Sequence, residues 1–359
     1  MGLAACLVVL LTIAPLYLHG RPGMAWSLAP LQPGLAHFGT DGHDLVAVWA
    51  SGEVAILDVA TGQPRVASQF ASAFPLLAEP AVFDGKAVFG SDDGRVRELN
   101  LATGAVAWEF VTGATVRAKP ERAGDLLLIG SDDGALYGLQ EATGLALWRA
   151  ACGGKIGAQA ALCGASSAVV GTADNGIIGV TWGPVPLPAG TQGVGVVKQW
   201  RVRTEAPALA PAAAARGGEV GAVGTDEGRL YLLDPATGNA RGMLEMNGLV
   251  RCRPVVLADR VLAADCSGRV VAAGLDGKPL WARRVAGPIT TGLVVQGDTV
   301  FLGTARGEVV ALRISDGQRV WHCHLPGAAA GSLQVTGGLV IAGLSEGRIC
   351  AFRLPPESS

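Results

Sequence analysis

Short apolar runs alternate with polar turns along nearly the whole chain. At 87–99 (AVFGSDDGRVREL) and again at 127–139 (LLIGSDDGALYGL), an apolar run leads into a polar turn ending in Gly, and a second alternating run follows. Alternation with period two predicts paired strands, and Asp-Gly supplies the positive φ that a tight hairpin turn needs. The same phrase recurs around Gly52, Gly94, Gly134, Gly176, Gly228, Gly268, Gly307 and Gly347, at intervals of 42, 40, 42, 52, 40, 39 and 40 residues.

About ten residues after most of these hairpins comes a second turn. It reads Ala-Thr-Gly at Gly62, Gly104, Gly144 and Gly238, and Asp-Gly at Gly277 and Gly317. A further strand then begins, commonly carrying Trp: Trp108, Trp148, Trp200, Trp281 and Trp321. With the apolar segment ahead of each hairpin, every 40-residue unit holds four short strands, the period of a propeller blade. One such sheet cannot cover both its faces; sheets stacked radially bury each face against the next and leave only short edges. The last unit ends before any Trp-bearing strand, whereas the chain opens with an orphan segment at 23–28 (GMAWSL). Trp26 is therefore expected to complete blade eight and close the ring. The expectation is an all-β, eight-bladed propeller of four-stranded blades spanning 21–359 as one domain, a monomeric ring.

Composition agrees with many buried strands joined by tight turns: half the residues are hydrophobic and 16% charged, with 52 glycines and 20 prolines among 359. The net charge of −2 and the absence of a basic stripe interleaved with aromatics argue against a nucleic-acid partner. Residues 1–18 are nearly all apolar and lead into His19 and Gly20, so 1–20 reads as a signal-like or membrane-anchor segment, although Pro15 interrupts it and a basic start is missing. Export, or a membrane tether through 1–18, to a periplasm or cell envelope is expected, with a cytoplasmic ring as the alternative.

The phrase Gly90-Ser91-Asp92-Asp93-Gly94, continuing through Leu99, Ala102-Thr103-Gly104 and Trp108, resembles the repeat of the quinoprotein-like (PQQ-like) propeller superfamily. The resemblance covers the chain after Arg21. It implies the fold but leaves the task open, because the same ring serves quinone dehydrogenases, BamB-type scaffolds of outer-membrane assembly, and docking or sensor domains of larger proteins. The dehydrogenases bind pyrroloquinoline quinone with calcium and carry adjacent cysteines; no Cys-Cys pair occurs here. Length and blade count are closest to the BamB-type scaffolds.

The residues offer no catalytic constellation. The five histidines fall at 19, 37, 43, 322 and 324, and there is no P-loop, no Gly-x-Gly-x-x-Gly opening a helix and no His-Glu-x-x-His. Trp26, Trp108, Trp148, Trp200, Trp281 and Trp321 are expected to dock one blade on the next. Asp92-Asp93 and Asp132-Asp133 read as turn-stabilising carboxylates in preference to cation ligands. In His322-Cys323-His324 the imidazoles share one strand face and the thiol the other, so a metal contact would lack a third ligand. Six cysteines remain beyond Cys6. Cys252 and Cys266, equidistant from Asp259, are expected to face each other across a hairpin and to form a disulfide; pairing of Cys152 with Cys163 and of Cys323 with Cys350 has no geometric support.

The one long interval holds an insertion at 181–197 (TWGPVPLPAGTQGVGVV), where blade four should have its Ala-Thr-Gly turn. Long loops on rigid rings carry binding, and Trp182 with Pro184, Pro186 and Pro188 is the expected protein-binding contact. Two functions follow: a non-catalytic exported or anchored scaffold for protein partners in envelope assembly, with no cofactor, or a quinone-binding dehydrogenase or sensor that uses the central channel.

Overall fold

The computed structural model describes residues 23–30, 34–66, 70–186, 191–215 and 217–355. The apolar segment 1–20 lies outside them, as does Pro188. Among the described residues there are eight antiparallel sheets of four strands and no helix. Blades 1 to 7 occupy 36–66, 81–111, 121–151, 161–203, 213–245, 255–284 and 294–324. In each, chain order is also sheet order, and the first strands of neighbouring blades touch around the axis, so each chain segment runs from the centre outward.

Blade 8 takes three strands from 329–353 and its outermost strand, Met24–Leu28, from the other end of the chain. Trp26 pairs with Ala351 and Leu28 with Ile349. The closing strand thus joins the sequence termini by main-chain bonds. No free blade edge is left at the join beyond the outer rim that every blade has.

The core lies in the seams between blades. Phe38, Leu45 and Leu57 of blade 1, for example, pack with Ile341 and Ile349 of blade 8, all essentially without exposure. Indoles lock several seams in one repeated way. The Trp of an outermost strand donates its Nε1–H to a carbonyl beside the last turn of the next blade: Trp26 to Val59 at 2.9 Å, Trp108 to Glu141 at 3.0 Å, Trp200 to Pro235 at 2.8 Å and Trp281 to Ile314 at 2.9 Å. The ring lies flat on the turn glycine. A Cβ built at Gly62, Gly144, Gly238 or Gly317 would come within 2.4–2.6 Å of the indole, and each has φ near +70° to +77°. The Ala-Thr-Gly turn therefore needs Gly twice over, for its backbone and for the indole above it. Trp321, whose neighbouring blade lacks this turn, packs instead near Phe301 of its own blade, in a cluster with Met24 and Leu354.

Two expectations are corrected. The insertion is an extension of the blade-4 hairpin and not a loop: Gly176–Pro186 pairs with Gln192–Arg203 from Gly176↔Arg203 out to Pro186↔Gln192. Cys252 and Cys266 are free thiols. The hairpin that separates them turns on two residues, closed by Leu257 N–H to Arg260 O at 2.8 Å, with Val255↔Leu262 and Val256↔Val261. Its centre lies between Ala258 and Asp259, half a residue from the centre the disulfide required. The mirror position of Cys252 is Asp265, and the Cys252 thiol turns into the core toward Ile289 O at 3.8 Å. Burial pushes that thiol up to about 12.

Candidate functional site

The extended hairpin of blade 4 is the largest departure from ring symmetry. Its two prolines are placed by hydrogen-bond geometry. Trp182 N–H still reaches Ser166 O at 3.0 Å, but the neighbouring strand Ser167–Thr172 reaches no further than its pairing of Ser167 with Thr181. Residues two and four places on direct their nitrogens to the same, now vacant, side. Pro184 and Pro186 stand there, where no N–H is needed, and both are exposed.

Trp182 is not the exposed anchor that the sequence suggested. It is 5% exposed, and its ring stacks on Trp148 of blade 3 with centroids 5.5 Å apart and planes at 27°. Its backbone occupies the place from which Val59, Glu141, Pro235 and Ile314 offer a carbonyl to the preceding blade's indole. Here the ring replaces that bond, and Trp148 Nε1 is buried with no acceptor among the described residues. What the hairpin exposes is its outer strand, with Val194 37% and Val197 53% accessible.

One seam beyond blade 2 is ionic. Glu98 stands across from Trp108, where other Trp-bearing blades have Gly138, Gly179, Ala272 and Ala311. Glu98 is 4% exposed; its Oε2 lacks a hydrogen bond and lies 3.8 Å from Lys86 Nζ. Lys86 bonds Glu141 Oε1 of blade 3 at 2.9 Å, and Arg122 bonds Glu141 Oε2 and Asp84. Desolvation raises the Glu98 carboxyl above its ordinary value, against the opposing pull of Lys86 and Trp108.

The central channel encloses about 810 Å³. Each segment entering an innermost strand is tied by a backbone bond to the inner hairpin turn of the blade it enters, for example Asp132 N–H to Thr115 O and Cys266 N–H to Leu249 O. Alternation from that fixed point buries Val116 and Ala118, or Val250 and Cys252. It turns Arg117 and Lys119, or Arg251 and Arg253, toward the axis, so the lining forms two tiers. Lys119 pairs with Glu79 at 3.2 Å, Arg117 with Asp92 at 3.3 Å, and Arg251 with Asp226 through two bonds of 2.9 and 2.8 Å. His37 also lines the channel, and burial pushes its imidazole down despite Glu79 nearby.

The remaining sequence candidates sit in local networks. Burial alone would raise Asp93, but bonds from Arg97 and Ser91 outweigh it; Asp133 is held down in the same way by Tyr137 and two backbone amides. These carboxylates close their own turns. His322 and His324 lie side by side on an exposed strand face with ring centroids 5.8 Å apart, and Cys323 faces the Trp321 cluster. No group of three metal-ligating side chains occurs among the described residues. Sequence reasoning missed Glu98 and the two channel tiers. Superposing the repeats by their turn glycines would have found both, since Glu98 breaks a run of Gly and Ala.

No curated protein matches the chain significantly. Among solved structures, the computationally designed Ika8 protein superposes with a TM-score of 0.78 at 17% identity, over 92% of this chain and 100% of that one. BamB from Moraxella catarrhalis superposes with a TM-score of 0.71 at 20% identity, over 92% of this chain and 99% of that one. Both show the fold. The model of the family described as outer membrane protein assembly factor BamB matches residues 50–182 and 267–354, well over half the chain, and to that family this eight-bladed ring belongs.

Proposed function

We propose that the ring is a non-catalytic scaffold of the cell envelope that holds a protein partner during outer-membrane protein assembly, with the blade-4 hairpin as its contact. The family supports the general role. The observation that carries the hairpin is its outer strand: twelve residues, Gln192–Arg203, against three to six in the outermost strands of the other blades, with Val194 and Val197 exposed on it. A rigid, preordered edge contributes affinity because little conformational entropy is lost on docking. The fold family also contains quinone enzymes, but calcium takes six to eight oxygen ligands. The channel lining offers one carboxylate, Glu79, already held by Lys119, so the donor set does not suit the metal that accompanies the quinone.

The test is site-specific photocrosslinking in the producing cells. A crosslinker at Val194 is expected to trap a component of the outer-membrane assembly machinery, identified by mass, whereas one at Val320 on the rim of blade 7 traps none. Equal labelling from both positions, or a partner unrelated to envelope assembly, refutes the proposal.

A further inference from the structure

Among the four cations of the channel lining, three are neutralised by carboxylates and one is not. Arg117 has Asp92, Lys119 has Glu79 and Arg251 has Asp226. Arg253 donates its Nε–H to the Ala212 carbonyl at 3.3 Å, and no carboxylate of the described residues pairs with it. That is its one hydrogen bond among the described residues, and its two terminal nitrogens have no protein acceptor there. An end-on guanidinium fork matches two oxygens of a carboxylate or phosphate. It stands in a walled cavity, where low-dielectric sides concentrate the field of an uncompensated charge. The volume of about 810 Å³ falls in the range of small-molecule sites. On the same side of the ring Gln159, whose carbonyl accepts from Ala212 N–H, also lines the cavity, its amide nitrogen donating to Glu121 Oε2.

We infer that the central channel is a binding site for a small oxyanion carrying carboxylate or phosphate groups, with Arg253 as its anchor. Arg117 and Arg251 hold their carboxylates in the turns behind them and are neutralised there, so neither competes with Arg253 as the fork. Lys119 shares its charge with Glu79, so an anion on Arg253 meets a wall that is neutral or positive on every side but that of Glu79. The site is independent of the blade-4 hairpin, which lies on the outer rim.

Isothermal titration of the full chain at low ionic strength, with citrate and separately with inorganic phosphate, tests the inference. One saturable site for either probe is expected, and binding of only one of them narrows the ligand class. Arg253→Ala should weaken binding by about tenfold or more, and Arg253→Lys by less, since the charge stays and the fork is lost. Both variants should keep the parent melting temperature, because Arg253 makes a single bond to the fold. Arg203→Ala and Val194→Asp, on the hairpin, should bind as the parent does. No heat from either probe up to about 10 mM, a concentration that reveals even millimolar affinity, overturns the inference. Undiminished binding by Arg253→Ala overturns it equally.

Discussion

Two neighbouring seams, blade 2 against blade 3 and blade 3 against blade 4, solve the same docking problem by opposite chemistry. In the first, Trp108 makes its indole bond to Glu141 O, and Glu98, Lys86, Glu141 and Arg122 fill the surroundings with charge. In the second, Trp148 makes no such bond and lies against Trp182 in a cluster with Ile156, Ile178 and Val180. The seam that lost its indole bond gained a second indole. An apolar seam of this kind draws its stability from buried area and ring contact, whereas the ionic seam offsets desolvation with paired charge and is sensitive to pH.

The largest effects are expected from truncating the stacked pair. Trp148→Ala or Trp182→Ala removes a nearly fully buried indole and should cost about 3–5 kcal/mol of unfolding free energy. The double variant should cost less than the sum of the two by about 0.5–1.5 kcal/mol, the coupling of an aromatic pair. Chemical denaturation of the four proteins checks this. Strict additivity would mean that the two rings do not stabilise each other. The Trp182 result also bears on docking: as a buried residue it should lose stability and partner capture together, whereas Val194→Asp should lose capture alone.

The turn glycines come next. Gly144→Ala and Gly238→Ala put a methyl group at a positive φ and into the indole of Trp108 or Trp200. Gly124→Ala carries the same backbone cost at φ +63° but meets nothing within 4 Å. The backbone alone should cost about 1 kcal/mol, and the seam glycines about 1–3 kcal/mol more through forced repacking. Thermal melting that ranks Gly124→Ala with the other two would remove the indole from the explanation.

The ionic seam predicts a pH dependence that the stacked seam lacks. The Glu98 carboxyl is raised in the folded state, by burial first, so the native protein holds this proton more tightly than the unfolded chain does. Its stabilising contribution is therefore present in acid, below the unfolded carboxylate value, and fades as pH rises through the folded one. Glu98→Gln should remove that dependence and gain relative stability toward neutral pH, since the amide carries no charge to desolvate. Unfolding free energies of parent and variant between about pH 4 and 7 check the sign. Parallel curves would place the Glu98 carboxyl at its ordinary value. Lys86, Arg122 and Glu141 are common to parent and variant, so the difference between the two curves reports Glu98 together with its coupling to Glu141.

The ring itself was legible because its determinants are local. Gly94 and Gly134 set hairpins, Gly62 and Gly144 set the outer turns, and Trp26 revealed the closure by standing where a blade lacked its Trp strand. The functional surfaces were less legible because they depend on register between segments that sequence spacing fixes only to within a residue. Centring the blade-6 turn on Asp259 in place of the bond between Ala258 and Asp259 moved Cys252 to the other face, and the disulfide vanished. Trp182 was read as exposed because the run of prolines that follows it resembles a loop. In fact Pro184 and Pro186 occupy the side of the strand where the pairing partner has ended, and the strand continues through them. Glu98 stands where the other Trp-bearing blades have Gly or Ala, and Arg253 shares the place of Lys119 without its carboxylate; both become visible only once the blades are superposed.

The finest test of the two kinds of seam removes one N–H and leaves the rings. Trp281→Phe deletes the bond to Ile314 O together with part of an indole, whereas Trp148→Phe deletes an N–H that has no acceptor. Both lose similar apolar area, and their exposures are 8% and 6%. The difference between them should therefore report the hydrogen bond plus the relief of an unsatisfied donor, about 1–3 kcal/mol in favour of Trp148→Phe. Equal destabilisation would mean that Trp148 Nε1–H is satisfied in solution, by a bridging water in the hairpin seam or by a shift of Trp182 that restores its carbonyl to the place its counterparts hold.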